Sequence, residues 1–400
     1  MARIVFFNRF YWPDEPATAQ LLVDLAEALA ADGHAVSIVT SRPVRAPLFE
    51  RHNGIEIHRV RSLRLRGSGL LVRILDLVTF YPGAFLLLLR RVKCGNVLVA
   101  MTDPPLGGIL AAVVAKLRGA KLVHWVQDIY PEIAVLLTRQ RWLIASRRAR
   151  DGAWRAAHAC FVPGDTMARA LHAAGVPASR IVVSPNWAPA GLRPPSPDAV
   201  AALRTQWNLT GRFVAVYSGN LGRVHDLEPL IEIAAAFQND PTFALVFIGS
   251  GAEHATLRRA TEQHGLANIH FHPAQPRETL SVSLGLADVH FVTLKPGAEQ
   301  AVFPSKLYGI AQVGRPVVFI GAPDSDVARN VTAHGFGAAF TREQVPAIVR
   351  WLKTLRADSQ LQSRLSAAAL AFAPNGREQA LQQWRQRLAT PELAGSPSAP

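Results

Sequence analysis

The feature that most narrows the fold is a repeated alternation of short apolar runs with helical stretches. Runs at 3–8, 35–40, 55–60, 97–101, 121–126, 159–162 and 181–184 read as strands. Helical patterns fall between them, as at 17–31 and 107–117, and glycine punctuates their ends in "ADGH" and "LRGAK". Alternation of this kind predicts a parallel sheet with helices on both faces. A proline-dense stretch, PNWAPAGLRPPSP at 185–197, interrupts the series. A second series follows at 213–218, 244–248, 269–271, 289–294 and 316–320. At 400 residues the chain exceeds one ordinary core, so two domains are expected. The reading is an α/β chain of two doubly wound halves with a cleft between them. The halves span 1–187 and 188–375, a helix follows at 376–388, and 389–400 reads as a disordered tail.

Open parallel sheets bind ligands beyond the carboxyl ends of their strands. After the run VAVYS come Gly219, Asn220, Leu221, Gly222, Arg223, Val224, His225 and Asp226. Glycines let a backbone approach a phosphate, and Arg223 and His225 could neutralise its charge. After ALVFI come Gly249, Ser250 and Gly251, to which the same argument applies. A third such place is Pro304-Ser305-Lys306, ahead of a helical pattern. Ser305 is expected to cap that helix. A lysine in a first helical turn is disfavoured by the helix dipole by roughly 0.3–1 kcal/mol, which implies an anion beside Lys306. Three anion-suited strand ends in one half point to a bound diphosphate.

The first half differs. Its first strand runs into Tyr11-Trp12-Pro13-Asp14-Glu15-Pro16-Ala17-Thr18, which is no dinucleotide fingerprint and counts against a nicotinamide enzyme. Asp128 ends the run KLVHWV and could act as a base or stabilise positive charge, or else cap the next helix. Asp103, after another run, would line the same place.

The net charge of +14 implies an acidic partner. Arg42, Arg45, Arg51, Arg59, Arg61, Arg64, Arg66 and Arg73 lie close together, opposed by Glu50 and Glu56. Beside them runs LVTFYPGAFLLLL at 77–89, too short for the roughly 20 residues a bilayer span needs. Pro82-Gly83 is expected to break it, giving a helix pair that lies on an anionic membrane surface. Nucleic acid is not expected as a partner, because the cluster lacks interleaved aromatics for base stacking. Cys94 and Cys160 suggest neither a disulfide framework nor a zinc site, and fit a reducing compartment. The opening MARIVFFNRFYWP reads as a strand rather than a signal peptide.

The stretches "YWPDEPATAQLLVDLAEALAADGHAVSIVTS", "VQDIYPE", "YSGNLGRVHDLEPLIEIA" and "PSKLYGIAQVGRPVVFIG" resemble the retaining glycosyltransferases of family 4. They are most similar to the branch that builds bacterial capsule, O-antigen and colanic-acid-type polysaccharides. The likeness covers about residues 2–388. It implies the GT-B architecture, two Rossmann-like domains facing across a cleft, with the last helix crossing back to the first domain. It implies transfer of a sugar from a nucleotide diphosphate to a lipid-linked, polyprenyl-diphosphate saccharide at the inner face of the cytoplasmic membrane, with no metal and no cofactor. The donor would meet Gly219, Asn220, Arg223, His225, Gly249, Ser250, Gly251, Glu299, Pro304, Ser305 and Lys306. The acceptor would meet Pro13, Asp14, Glu15, Thr18 and Asp103. Asp128 and Lys306 would be the catalytic pair. Relatives often carry arginine and lysine where Asn220 and His225 stand, glutamates where Ala301 and Gly309 stand, and histidine where Gln127 stands. A sugar-nucleotide epimerase on the same fold is the competing enzyme class, and a nucleic-acid-binding protein the competing non-enzyme.

Overall fold

The computed structural model describes residues 2–14, 16–43, 45–63, 70–373 and 375–393. The chain divides into two compact units, Met1–Asn186 with Arg377–Pro400, and Trp187–Gly376.

The first unit carries eight strands: β1 (Arg3–Phe7), β2 (Ala35–Ser41), β3 (Phe49–His52), β4 (Ile55–Val60), β5 (Val97–Met101), β6 (Lys121–Trp125), β7 (Ala159–Val162) and β8 (Ile181–Val183). Their order is β3-β4-β2-β1-β5-β6-β7-β8. All pairs are parallel except β3 with β4. Ile4, Val5, Phe6 and Phe7 of β1 are fully buried, as a continuous apolar run predicts for a strand covered on both faces. The helix Asn375–Leu388 closes one side of this unit. Its Trp384 stacks on Phe161 at 3.8 Å and meets Trp125 edge-on at 5.4 Å.

The second unit carries β9 (Phe213–Ser218), β10 (Phe243–Ile248), β11 (Ile269–His272), β12 (Val289–Thr293), β13 (Val317–Ile320) and β14 (Gly337–Phe340). Their order is β11-β10-β9-β12-β13-β14, parallel throughout. Strand order reverses between β1 and β5 in the first sheet and between β9 and β12 in the second. Those two points are where a crevice opens at the strands' carboxyl ends.

Several sequence expectations need correcting. Pro82 does not end a helix: Leu70–Arg91 runs through it as one helix rather than a pair. Gly83 has a packing role instead, because a Cβ there would lie 2.5 Å from Val60 Cγ1. The glycine lets the helix settle on β4, while Phe80, Ala84 and Leu88 supply its buried stripe. Arg59 is no solvent-facing member of a basic cluster. Its buried guanidinium donates to Glu50 at 2.6 Å and to the carbonyls of Pro47 and Trp12. Arg51 pairs with Glu56 at 2.7 Å, and Arg64 and Arg66 lie outside the described residues. Within the expected tail, Leu393 is buried and donates its N–H to Thr390 O; residues 394–400 lie outside the described residues.

Candidate functional site

At the switch point of the second unit, the helix Lys306–Gln312 follows the loop after β12. The side chain of Lys306 lies over the ring of Tyr217, with Nζ 3.7 Å from the ring centroid. Nζ is buried and has no hydrogen-bond partner among the described residues. Burial pulls its ammonium down from the usual lysine range to about 7. The helix is two turns long, so the perturbation comes from desolvation rather than from a strong helix dipole. Gly219, at φ +124°, leaves space beside the amine: a Cβ there would come within 3.3 Å of Lys306 Cε and Nζ. Three ammonium hydrogens without acceptors, beside a backbone with no side chain, make a place for an anion.

The loops around this amine are braced on one another. His225 Nδ1 bonds the Thr293 carbonyl at 2.7 Å, and Lys295 donates its N–H to Val224 O at 2.9 Å. Gly219 N–H donates to Ile248 O, Leu221 N–H to Ser250 O and Gly249 N–H to His272 O. A Cβ on Gly249 would lie 2.1 Å from Gly219 O, and one on Gly251 would lie 2.4 Å from Leu221 O. These two glycines are required by the contact between loops, and the N–H groups of Gly219, Leu221 and Gly249 are spent on carbonyls.

Two further expectations are revised. His225 is not a phosphate clamp: burial, then the charge of Lys306, lowers its imidazole to about 3, so it is neutral at physiological pH. Ser305 does not cap the helix, since its own backbone is helical and its side chain makes no cap bond. The turn after β9 continues as loop, and the next helix begins at Glu228. Arg223 is exposed, with its guanidinium 3.9 Å from Glu253. Asn220 is exposed, and its carbonyl accepts from the Tyr217 hydroxyl at 3.0 Å. Glu299 sits in the turn Ala298–Gln300 with Oε2 buried and without a hydrogen-bond partner. Sequence reasoning missed Tyr217, because nothing in VAVYS marks which strand residue will floor a lysine.

In the first unit, Asp128 follows β6. Thr102 Oγ1 accepts the N–H groups of Asp128 at 3.2 Å and Gln127 at 3.4 Å. Asp128 does not cap the following helix, whose first turn is preceded by Pro131 with no side-chain cap. Burial, then the neighbouring Asp103, pushes its carboxyl up to about 7. It borders a cavity of about 30 Å³ with Thr102, Gly108, His124 and Tyr130, room for about one water. His124 is held neutral by burial, its imidazole lowered to about 4. Gln127 is locked in a reciprocal amide pair with Asn186, at 3.0 and 2.8 Å.

The residues expected to meet an acceptor fall at the same edge of this sheet. Asp103 follows β5, and its carbonyl accepts Arg9 N–H at 2.7 Å. Pro13 and Asp14 lie on the turn after β1, where Asp14 N–H donates to Tyr11 O. Thr18 is in the first turn of the helix Ala17–Ala31, and Glu15 lies outside the described residues. Sequence reasoning missed Arg9, which salt-bridges to the buried Asp76 across 67 positions of chain.

Two family models match the chain in tandem: a glycosyl transferase 4-like domain over residues 18–187 and glycosyl transferases group 1 over residues 201–372. Among solved structures, Anabaena Alr3699/HepE in complex with UDP and glucose superposes with a TM-score of 0.75 at 16% identity, covering 98% of this chain and 100% of that one. WaaG, a glycosyltransferase involved in lipopolysaccharide biosynthesis, gives 0.71 at 14% identity over 96% and 98%. These likenesses establish the fold as GT-B, and the paired domains make the protein a glycosyltransferase. The chain belongs to the glycosyltransferases of family 4. A relative in Escherichia coli (strain K12), carrying the name colanic acid biosynthesis glycosyl transferase WcaI, is 28% identical over 376 residues, 88% of this chain and 91% of its own. Another in Pseudomonas aeruginosa, the glycosyltransferase WbjE, is 25% identical over 257 residues, 62% of this chain and 63% of its own.

Proposed function

We propose that this glycosyltransferase moves a hexosyl or N-acetylhexosaminyl residue from a nucleoside diphosphate to a lipid-linked saccharide, with retention, during assembly of a bacterial surface polysaccharide. The observation that carries the donor assignment is the buried, unpartnered ammonium of Lys306 beside Gly219. When the sugar–phosphate bond breaks, negative charge grows on the departing diphosphate, and an ammonium already desolvated stabilises it without reorganisation. Arg223 adds an exposed positive charge, and Glu299 offers a buried acceptor to sugar hydroxyls. In this reading side chains rather than a metal ion neutralise the diphosphate. Asp128, with its raised carboxyl, serves the acceptor in the first unit. The names of the relatives, a colanic acid enzyme and a lipopolysaccharide enzyme, support the polysaccharide setting, and the UDP and glucose of the HepE complex support the donor class.

A thermal-shift panel of nucleotide-sugars tests this, since a ligand of the native state raises apparent stability. One sugar-nucleotide should shift the parent, Lys306→Ala should abolish the shift, and Asp128→Ala should keep it while losing transfer. An intact shift in Lys306→Ala would show the donor site to be elsewhere. Interconversion of nucleotide-sugars with no acceptor present would favour an epimerase.

A further inference from the structure

Among the described residues, every exposed large apolar side chain except Leu370 belongs to the first unit. The most exposed is Trp142, at 71%. It projects from an elbow formed by the helix Glu132–Thr138, the 3-10 turn Arg141–Ser146 and the helix Arg147–Ala156. Leu136 and Ile144 are exposed beside it in the chain. The turn Arg141–Ser146 buries none of its residues. An indole 71% exposed on such a turn contributes little to the packing of this unit and is free to be buried by a partner.

The charge of the elbow says what that is. Residues 132–151 hold five arginines and two acids. Both acids are taken by the buried Arg150, Glu132 at 2.8 Å and Asp151 at 2.7 Å. Arg147 reaches either one only at 3.6 Å, and Arg139, Arg141 and Arg148 are exposed. An exposed tryptophan with exposed arginines at 139, 141 and 148 along the same short stretch, and no acids to spare, suits the interfacial zone of an anionic bilayer. A second copy of the same surface would meet like charge. Arg150 also ties the elbow to the candidate catalytic loop. It donates to Tyr130 O at 2.9 Å and lies 3.8 Å over the Trp154 ring.

We propose that this elbow is a membrane wedge, with Trp142 at headgroup depth and Arg139, Arg141 and Arg148 on lipid phosphates. It acts beside the 42–93 stretch, where Leu48, Phe49, Leu63, Leu75, Val78 and Leu86 are exposed but Arg59 is buried and Arg51 is paired. Its purpose rests on the lipid-linked acceptor proposed above. Docking would then fix the height of the Asp128 loop over the bilayer.

The test is co-sedimentation of the full chain with vesicles of phosphatidylcholine alone or mixed with phosphatidylglycerol. The parent should bind the anionic vesicles and release with salt. Each arginine near a charged surface contributes roughly five-fold to partitioning, so Arg141→Glu with Arg148→Glu should weaken binding by about twenty-five-fold or more. Trp142→Ser should weaken it several-fold, and all these variants should keep the parent's nucleotide-sugar shift. The proposal is overturned if the parent ignores anionic vesicles or binds neutral ones equally. It is also overturned if elbow variants bind like the parent while Arg42→Glu with Arg61→Glu does not, or if the parent is a dimer that Trp142→Ser splits. A parent with no nucleotide-sugar shift would count against the donor reading alone.

Discussion

The ammonium of Lys306 rests 3.7 Å from the ring centroid of Tyr217, a residue fully enclosed in β9. The aromatic face offers a cation partial compensation, but among the described residues no hydrogen-bond acceptor reaches Nζ. The lysine is therefore half-satisfied without ligand. Its amine is lowered to about 7, against about 10.4 for an unfolded chain.

One consequence concerns protons. The folded value lies below the unfolded one, so charged Lys306 costs stability below about pH 7, and that cost disappears as pH rises to about 10.4. Stability without ligand should therefore climb across that window in the parent more than in Lys306→Met. A bound diphosphate restores the charge. At pH 8, binding of a nucleotide-sugar should take up close to one proton, read by calorimetry in two buffers of different ionisation heat. Its phosphates are diesterified and do not titrate there, so the proton belongs to the protein. No uptake, or equal uptake in Lys306→Met, would contradict the assignment.

Asp128 gives the opposite sign. Its carboxyl is raised to about 7 from an unfolded value near 3.9, so folding favours the neutral acid. Stability should fall as pH rises between those values. Asp128→Asn removes the titration, and at pH 8 it should be more stable than the parent by about 1 kcal/mol or more, with a smaller difference at pH 4. It should bind the donor normally and lose transfer. Urea titrations at the two pH values, with a transfer assay, check all three outcomes.

Gly249→Ala should be among the costliest small substitutions in the second unit. The new methyl would stand 2.1 Å from Gly219 O, at φ +136°, where no side chain can yield. A loss of about 2 kcal/mol or more is expected, together with loss of donor binding, since the Gly219 loop must move. Gly265→Ala, at φ +60° with nothing within 4 Å of the added methyl, should cost only about 1 kcal/mol. Denaturant midpoints distinguish the two.

Chelation should leave transfer intact. If Lys306 and the loops around it carry the diphosphate, dialysis against EDTA followed by assay in metal-free buffer should retain nearly full rate. A loss restored by a divalent cation would mean that the side chains do not suffice.

The sequence was most readable where one strand speaks for itself. Buried parallel strands such as β1, β5 and β10 are continuous apolar runs, and their ends were placed to within a residue or so. Two edge strands carried no such signal. β3 is FERH, with Phe49 half exposed, and β14 is GAAF, where Gly337 is demanded by Val317 O 1.8 Å from a would-be Cβ. Neither contact is visible along the chain. The same limit applied to the site. Lys306, Gly219 and Asp128 could be nominated from their places after strands, but their surroundings could not. That His225 would be spent on Thr293 O, that Arg59 would be buried against Glu50, and that Tyr217 would floor the lysine all depend on partners that folding alone brings together. Pro82 misled for a related reason, because a neighbouring strand rewarded the Gly83 contact and outweighed the local cost of proline.

The most direct measurement is a crystal structure of the protein with an intact nucleotide-sugar. Diphosphate oxygens within about 3 Å of Lys306 Nζ, lying against Gly219, are the predicted result. A donor bound in any other place, with the amine still resting alone on Tyr217, would contradict the account.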